Sequence, residues 1–249
     1  MPPTVEVIAH RGFSARAPEN TLSALEAAVN AGADAVEFDV STAACGTPVL
    51  FHDPMLSRTT NGVGPLRRRT LQQLKALDAG KWFSPDFAGE RIPSFEEALG
   101  ALRGRVRRIY AEVKGFRELE DTDRMVRLGR EAGMLGEVVF ISLNWTLLDR
   151  MRSQEPGLTI GYVVDEEAEF KDAVQRAGGD AAAMVHVRHD VLAAAPALLG
   201  RLRDQGTEVA VWTVDDPAEA DRFLAMGVGR ITTNQVDALL AWRGSLSGA

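Results

Sequence analysis

From Val5 to Asn234 the chain alternates short apolar, β-branched runs with Ala- and Leu-rich stretches of helical spacing, and that rhythm admits few folds. The runs are VEVIA (Val5 to Ala9), AVEFDV (Ala35 to Val40), RIYAEV (Arg108 to Val113), VVFIS (Val138 to Ser142), TIGYVV (Thr159 to Val164), AAAMVH (Ala181 to His186), VAVWTV (Val209 to Val214) and GRITTN (Gly229 to Asn234). A strand that is repeatedly followed by a helix returns parallel to its predecessor. Eight such units in 249 residues predict an α/β fold, a (β/α)8 TIM barrel, as a single domain over residues 1–249.

A ninth run, PVLFHD (Pro48 to Asp53), lies too close behind Val40 for a parallel crossover, so it is expected to fold back as an antiparallel hairpin strand. The segment from Asp53 to Pro93 is longer and richer in Gly and Pro than an ordinary loop, which predicts a small insertion subdomain over residues 53–93. The first helix should run from about Thr21 to Asn30, with Asn20 as N-cap and Gly32 as terminator. The closing RGSLSGA reads as a frayed tail.

Bulk properties narrow the function classes. A net charge of -7 argues against nucleic acid as a partner. The one cysteine, Cys45, excludes an intramolecular disulfide and a cysteine-rich zinc site. No stretch has the length and apolarity of a signal peptide core or a membrane span, so a cytoplasmic protein without a stable membrane anchor is expected.

Chemistry concentrates at strand ends. Glu37 and Asp39 share one face of their strand while Val36, Phe38 and Val40 share the other, so in a barrel both carboxylates project inward. Adjacent buried anions repel unless neutralised, either by a divalent cation or by a structural ion pair with Arg or Lys. Glu112 and Lys114 repeat the pattern on the next barrel strand, and Glu112 would complete a three-carboxylate set. Oxygen-only ligands favour Mg2+ or Ca2+. Lys114 is then a point charge for phosphate, or else a salt-bridge partner of Glu112. His10 and His52 both end strands and can meet at the barrel mouth as an acid/base pair. Arg11 offers a fork for phosphate oxygens, Gly12 a close backbone approach to a ligand, and Trp212 a pocket wall or a packing residue. Glu19 is left between a supporting role and an exposed acid. His186 and His189 read as surface or capping residues, and Arg67 to Arg69 as a solvated charge run.

Taken together, HRG (His10 to Gly12), PENT (Pro18 to Thr21), EFDV (Glu37 to Val40), HD (His52 to Asp53), RTTNGVG (Arg58 to Gly64), AEVK (Ala111 to Lys114) and VWTV (Val211 to Val214) closely resemble the glycerophosphodiester phosphodiesterases. The match in order and spacing extends over nearly the whole chain. This resemblance implies a barrel enzyme that cleaves glycerophosphodiesters to glycerol 3-phosphate and an alcohol. It implies a divalent metal, Mg2+ or Ca2+, on Glu37, Asp39 and Glu112, with His10 and His52 as acid and base and Arg11 and Lys114 near the phosphate. It also implies attack by the glycerol 2-hydroxyl through a cyclic phosphate. The chain departs from the family pattern at Cys45 in the hairpin turn and in lacking a proline after the last strand. Two alternatives stand beside this reading: a lysophospholipase D whose lipid groove would be formed by Trp82, Phe83 and Phe87, and a non-catalytic barrel that binds a phosphate metabolite.

Overall fold

The computed structural model describes residues 5–246. Nine strands form one sheet: β1 (Glu6–Ala9), β2 (Ala35–Thr42), β3 (Pro48–Leu50), β4 (Arg108–Gly115), β5 (Val138–Ser142), β6 (Ile160–Val164), β7 (Ala183–Arg188), β8 (Glu208–Trp212) and β9 (Arg230–Thr233). β1 pairs in parallel with both β2 and β9, which closes eight parallel strands into a barrel. β3 lies outside that ring, antiparallel to β2 with Val40 opposite Leu50, as the short connection requires.

The helices are α1 (Leu22–Ala31), α2 (Leu71–Lys75, within the 53–93 segment), α3 (Phe95–Leu102), α4 (Asp121–Glu131), α5 (Trp145–Gln154), α6 (Glu167–Ala177), α7 (His189–Ala194), α8 (Pro196–Asp204), α9 (Pro217–Ala225) and α10 (Val236–Leu246). The tail expected from Arg243 is therefore helical as far as Leu246, because the Arg243 guanidinium reaches the Val5 carbonyl and Asp34; Ser247 to Ala249 lie outside the described residues. Among the described residues no helix is long and apolar enough to cross a membrane.

Strand periodicity sorts the side chains into two cores. Val36, Phe38 and Val40, with Ile109, Ala111 and Val113, pack outward against the helices. Ile8, Ala35, Tyr110, Val139, Ile141, Val163, Met184 and Ala210 fill the barrel interior. Below them Glu208 pairs with Arg108 (2.6 Å) and Arg230 (2.5 Å), while Glu6 takes the Tyr110 hydroxyl (2.7 Å), so the bottom is shut by an ion network. Between Asp53 and Pro93 the chain gathers around a third cluster that includes Phe51, Leu56, Leu66, Leu74 and Ile92.

β7 sits two residues further along than AAAMVH suggested. His186 therefore falls inside the strand rather than at its end, on the same face as Met184, which fills the barrel interior.

Candidate active site

The mouth of the barrel holds a cavity of about 360 Å³ whose lining includes His10, Arg11, Glu37, His52, Glu112, Lys114 and Trp212. Asp39 lies behind this surface, fully buried. On β2 and β4, whose register sets Asp39 opposite Glu112, the inward parity of both strands brings the three acids together. One oxygen from each of Glu37, Asp39 and Glu112 lies within 4.8 Å of the others.

Backbone, amide and cationic groups contact these carboxylates, and Arg11 Nε lies 3.1 Å from Asp39 Oδ2. Glu37 Oε2 accepts the Arg11 backbone N–H (2.8 Å). Asp39 is clamped by Asn20, whose amide Nδ2–H donates to Asp39 Oδ2 (2.8 Å) and whose Oδ1 accepts the Asp39 backbone N–H (3.0 Å). Asn20 is thus not the helix cap. Thr21 is, its hydroxyl accepting from the Ala24 backbone N–H, while Gly32 ends α1 in the left-handed conformation.

One oxygen of each acid, Glu37 Oε1, Asp39 Oδ1 and Glu112 Oε1, is buried without a hydrogen bond. Lys114 Nζ comes within 2.7 Å of Glu112 Oε1, close enough for an ion pair but not aligned for a hydrogen bond. The salt-bridge alternative for Lys114 is therefore what the geometry contains. Burial, then Asp39 and Glu112, push the Glu37 carboxyl well above the usual carboxylate range. Burial pushes Glu112 up as well, against the pull of Lys114. Three such acids, each with a buried oxygen that accepts no hydrogen bond, fit a hard divalent cation, which would satisfy those oxygens and reverse both shifts.

The two histidines have different partners. His10 Nδ1 lies 2.7 Å from Asn234 Oδ1. The Asn234 amide cannot flip, because its Nδ2–H donates to Asp215 Oδ2 (2.8 Å) and its Oδ1 also takes the Ser14 hydroxyl (2.9 Å). His10 must then carry its proton on Nδ1, leaving Nε2 as a free acceptor 3.9 Å from Glu37. Burial, then the neighbouring Arg11 charge, lower the His10 imidazole to about 4. His52 Nδ1 instead faces a carboxylate, Asp53 Oδ1, at 2.6 Å. The Arg58 guanidinium, hydrogen-bonded to Asp53 and aided by His52, holds that carboxyl down at about 2.

Arg58 also grips both oxygens of Glu19 (2.8 Å each), and Glu19 in turn accepts from Arg11 Nη1 (2.8 Å). Glu19 is accordingly a bridge, joining Arg11 beside His10 to Arg58 beside His52. Burial alone would raise its carboxyl, but the Arg58 and Arg11 contacts outweigh this and lower it. Gly12 serves packing rather than ligand approach: at φ +77° a Cβ there would come 2.5 Å from the Ala24 backbone carbon.

His186 departs from its expected surface position. It is buried on β7, its ring centroid 5.0 Å from that of Tyr110, and it lines the cavity. Burial, then Arg230, lower it to about 3. Trp212 lines the same wall, its Nε1–H donating to the His186 carbonyl (3.2 Å). His189 begins α7 and does not line the cavity. Nor do Trp82, Phe83 and Phe87, which stack edge to face on one another within the 53–93 segment. Asn20, Arg58, Asp215 and Asn234 were not singled out from the sequence as site residues, although Arg58 opens one of its motifs.

A sequence model of the Glycerophosphoryl diester phosphodiesterase family matches residues 10–238. The glycerophosphodiester phosphodiesterase of Caldanaerobacter subterraneus subsp. tengcongensis is 31% identical over 236 residues, covering 94% of this chain and 96% of its own. Among solved structures, an Oleispira antarctica phosphodiesterase in complex with the product sn-glycerol-3-phosphate superposes with a TM-score of 0.86 at 27% identity, covering 96% of each chain. A glycerophosphodiester phosphodiesterase from Agrobacterium tumefaciens superposes with a TM-score of 0.83 at 28% identity, covering 96% of this chain and 100% of that one.

Proposed function

Because the chain belongs to the glycerophosphoryl diester phosphodiesterase family, we propose that it hydrolyses glycerophosphodiesters to glycerol 3-phosphate and an alcohol with His10 and His52 as base and acid. The observation that carries this reading is the single cavity lined by both histidines, Arg11, Lys114 and two of the three carboxylates. The product held by the Oleispira antarctica relative supports the substrate class.

Glu37, Asp39 and Glu112 would hold a divalent ion, Mg2+ or Ca2+, which when bound lowers the pKa of a substrate hydroxyl and offsets charge on phosphate oxygens. The Arg11 guanidinium and Lys114 ammonium orient the phosphate, the first as a fork and the second as a point charge. His10 Nε2, left free by the Asn234 contact, takes the proton of the glycerol 2-hydroxyl as that oxygen attacks phosphorus. His52 gives a proton from Nε2 to the departing alcohol, the Asp53 carboxylate offsetting the imidazolium charge. The two then exchange roles as water opens the cyclic phosphate. Trp212 walls the pocket, and the 53–93 segment acts as a small subdomain that carries Asp53 and Arg58.

The test is turnover of glycerophosphocholine with Mg2+ or Ca2+, with and without a chelator. His10→Ala and His52→Ala are each expected to lower kcat by roughly 10²- to 10⁴-fold in a protein that melts normally. Full turnover in either variant would remove that histidine from the mechanism. Comparison with lysophosphatidylcholine tests the substrate, and preference for the lipid-tailed diester would overturn the water-soluble assignment.

A further inference from the structure

Between Pro54 and Arg69 the chain makes a loop pinned at its base. Met55 and Pro65 form a bridge, the Leu56 N–H donates to the Gly64 carbonyl (3.0 Å), and the Leu66 N–H donates to the Pro54 carbonyl (3.0 Å). Leu56 and Leu66 turn inward and are buried. The outer side is unusual. Val63 is 70% exposed and Met55 46%, the two most exposed large apolar side chains among the described residues.

Three arginines follow directly. Arg67 and Arg68 are exposed, and Arg69 leans back so that its Nη2–H donates to the Val63 carbonyl (3.2 Å). Among the described residues none of the three has a carboxylate within 4.0 Å. Of the acids nearest in sequence on either side, Asp78 accepts from the backbone N–H groups of Gly80, Lys81 and Gly89, and Asp53 is already engaged by Arg58 and His52. Met55, Pro65 and Arg67 also form one side of a groove of about 410 Å³, with Phe116 and Gly115 across from them and Ser41 and Asp53 among its lining. The groove shares no lining residue with the active-site cavity, so the patch is a surface of its own.

We propose that this loop is a docking surface for an anionic lipid bilayer. Val63 and Met55 enter the headgroup layer while Arg67, Arg68 and Arg69 meet lipid phosphates. The pairing of chemistries selects the partner: exposed aliphatics gain nothing from a solvated polyanion, and unpaired arginines gain little from an apolar protein surface. The protein's net negative charge does not cancel the attraction, because screening at physiological salt confines each charge to about 8 Å. Three cations and two apolar side chains give reversible, salt-sensitive binding rather than an anchor. This goes beyond the proposed reaction and holds whether or not the substrate carries a lipid tail.

The experiment is co-sedimentation of the full chain with phosphatidylcholine vesicles containing phosphatidylglycerol and with pure phosphatidylcholine vesicles. Binding is expected only to the first, and it should weaken as salt is raised. Arg67→Gln with Arg68→Gln should weaken it roughly 25-fold, about fivefold for each arginine. Val63→Asp should weaken it by on the order of tenfold. All variants should melt as the parent does and turn over glycerophosphocholine unchanged. Absence of binding to the anionic vesicles, or equal binding by parent and variants, overturns the proposal. So does a result in which heparin binding falls with the arginines while Val63→Asp leaves vesicle binding untouched, since that describes a plain anion site.

Discussion

At the scale of residues, the site depends on amide side chains as much as on its acids and histidines. Asn234 is held by Asp215 and dictates which nitrogen of His10 carries the proton. Asn234→Ala should therefore lower kcat by roughly 10²-fold with KM little changed, since the base loses its orientation while the phosphate contacts remain. An equal loss in both constants, or none in either, would refute that role. That Glu37, Asp39, Glu112, His10 and His52 converge at the mouth was legible in the sequence because strand parity and strand ends announce it, whereas Arg58 and Asp215 lie outside helices and strands and carry no such signal. The asparagines were not: Asn20 lies 19 residues from Asp39 and Asn234 lies 224 from His10, and an amide has no local signature that separates a cap from a clamp. His186 was misplaced for a related reason, since nothing in AAAMVH distinguishes a histidine that stacks on Tyr110 inside the barrel from one facing water.

At the scale of elements, the first loop and the first helix form one packed unit. His10 and Arg11 are carried on a turn whose Gly12 has no room for a side chain against Ala24, and Thr21 caps the helix that supplies that contact. Gly12→Ala is expected to destabilise the fold by about 2 kcal/mol or more, combining strain at positive φ with a backbone clash. Thr21→Ala should cost about 1 kcal/mol. Urea titration of both variants checks the order, and a Gly12→Ala protein as stable as the parent would disprove the packing argument. The βα rhythm exposed the elements themselves. Their ends were less legible, as the two-residue offset of β7 and the helical Arg243–Leu246 segment illustrate, because boundaries are decided by tertiary partners such as the Arg243 contact with Asp34 rather than by local propensity.

At the scale of the whole molecule, stability and chemistry are linked through charge. Binding of Mg2+ or Ca2+ to the three acids should raise the melting temperature, by roughly 5–10 °C at about 100 times the dissociation constant. A chelator should reverse the shift, whereas an unchanged melting curve in Glu37→Gln and wild type alike would exclude the site. Acid should act through His186. Its folded imidazole is lowered to about 3, below the value of about 6.5 in an unfolded chain, so the unfolded state takes up the proton first and stability falls as pH drops from about 6.5 toward 3. In His186→Leu the melting temperature should decline less steeply over that window, and an identical slope would show that other groups govern acid sensitivity.

The closure of β1 against β9 also sets a clock. His10 emerges from the ribosome early, but Asn234, which gives it a defined tautomer, is made 224 residues later. At cellular elongation speeds of about 5–20 residues per second that interval is roughly 10–45 s. Throughout it one edge of β1 is unpaired, and in the proposed mechanism the base has no defined tautomer. With the proposed base, the chain acquires its chemistry only when its last strand arrives, so a chain stalled before β9 is expected to be an inert, edge-exposed fragment rather than a slow enzyme.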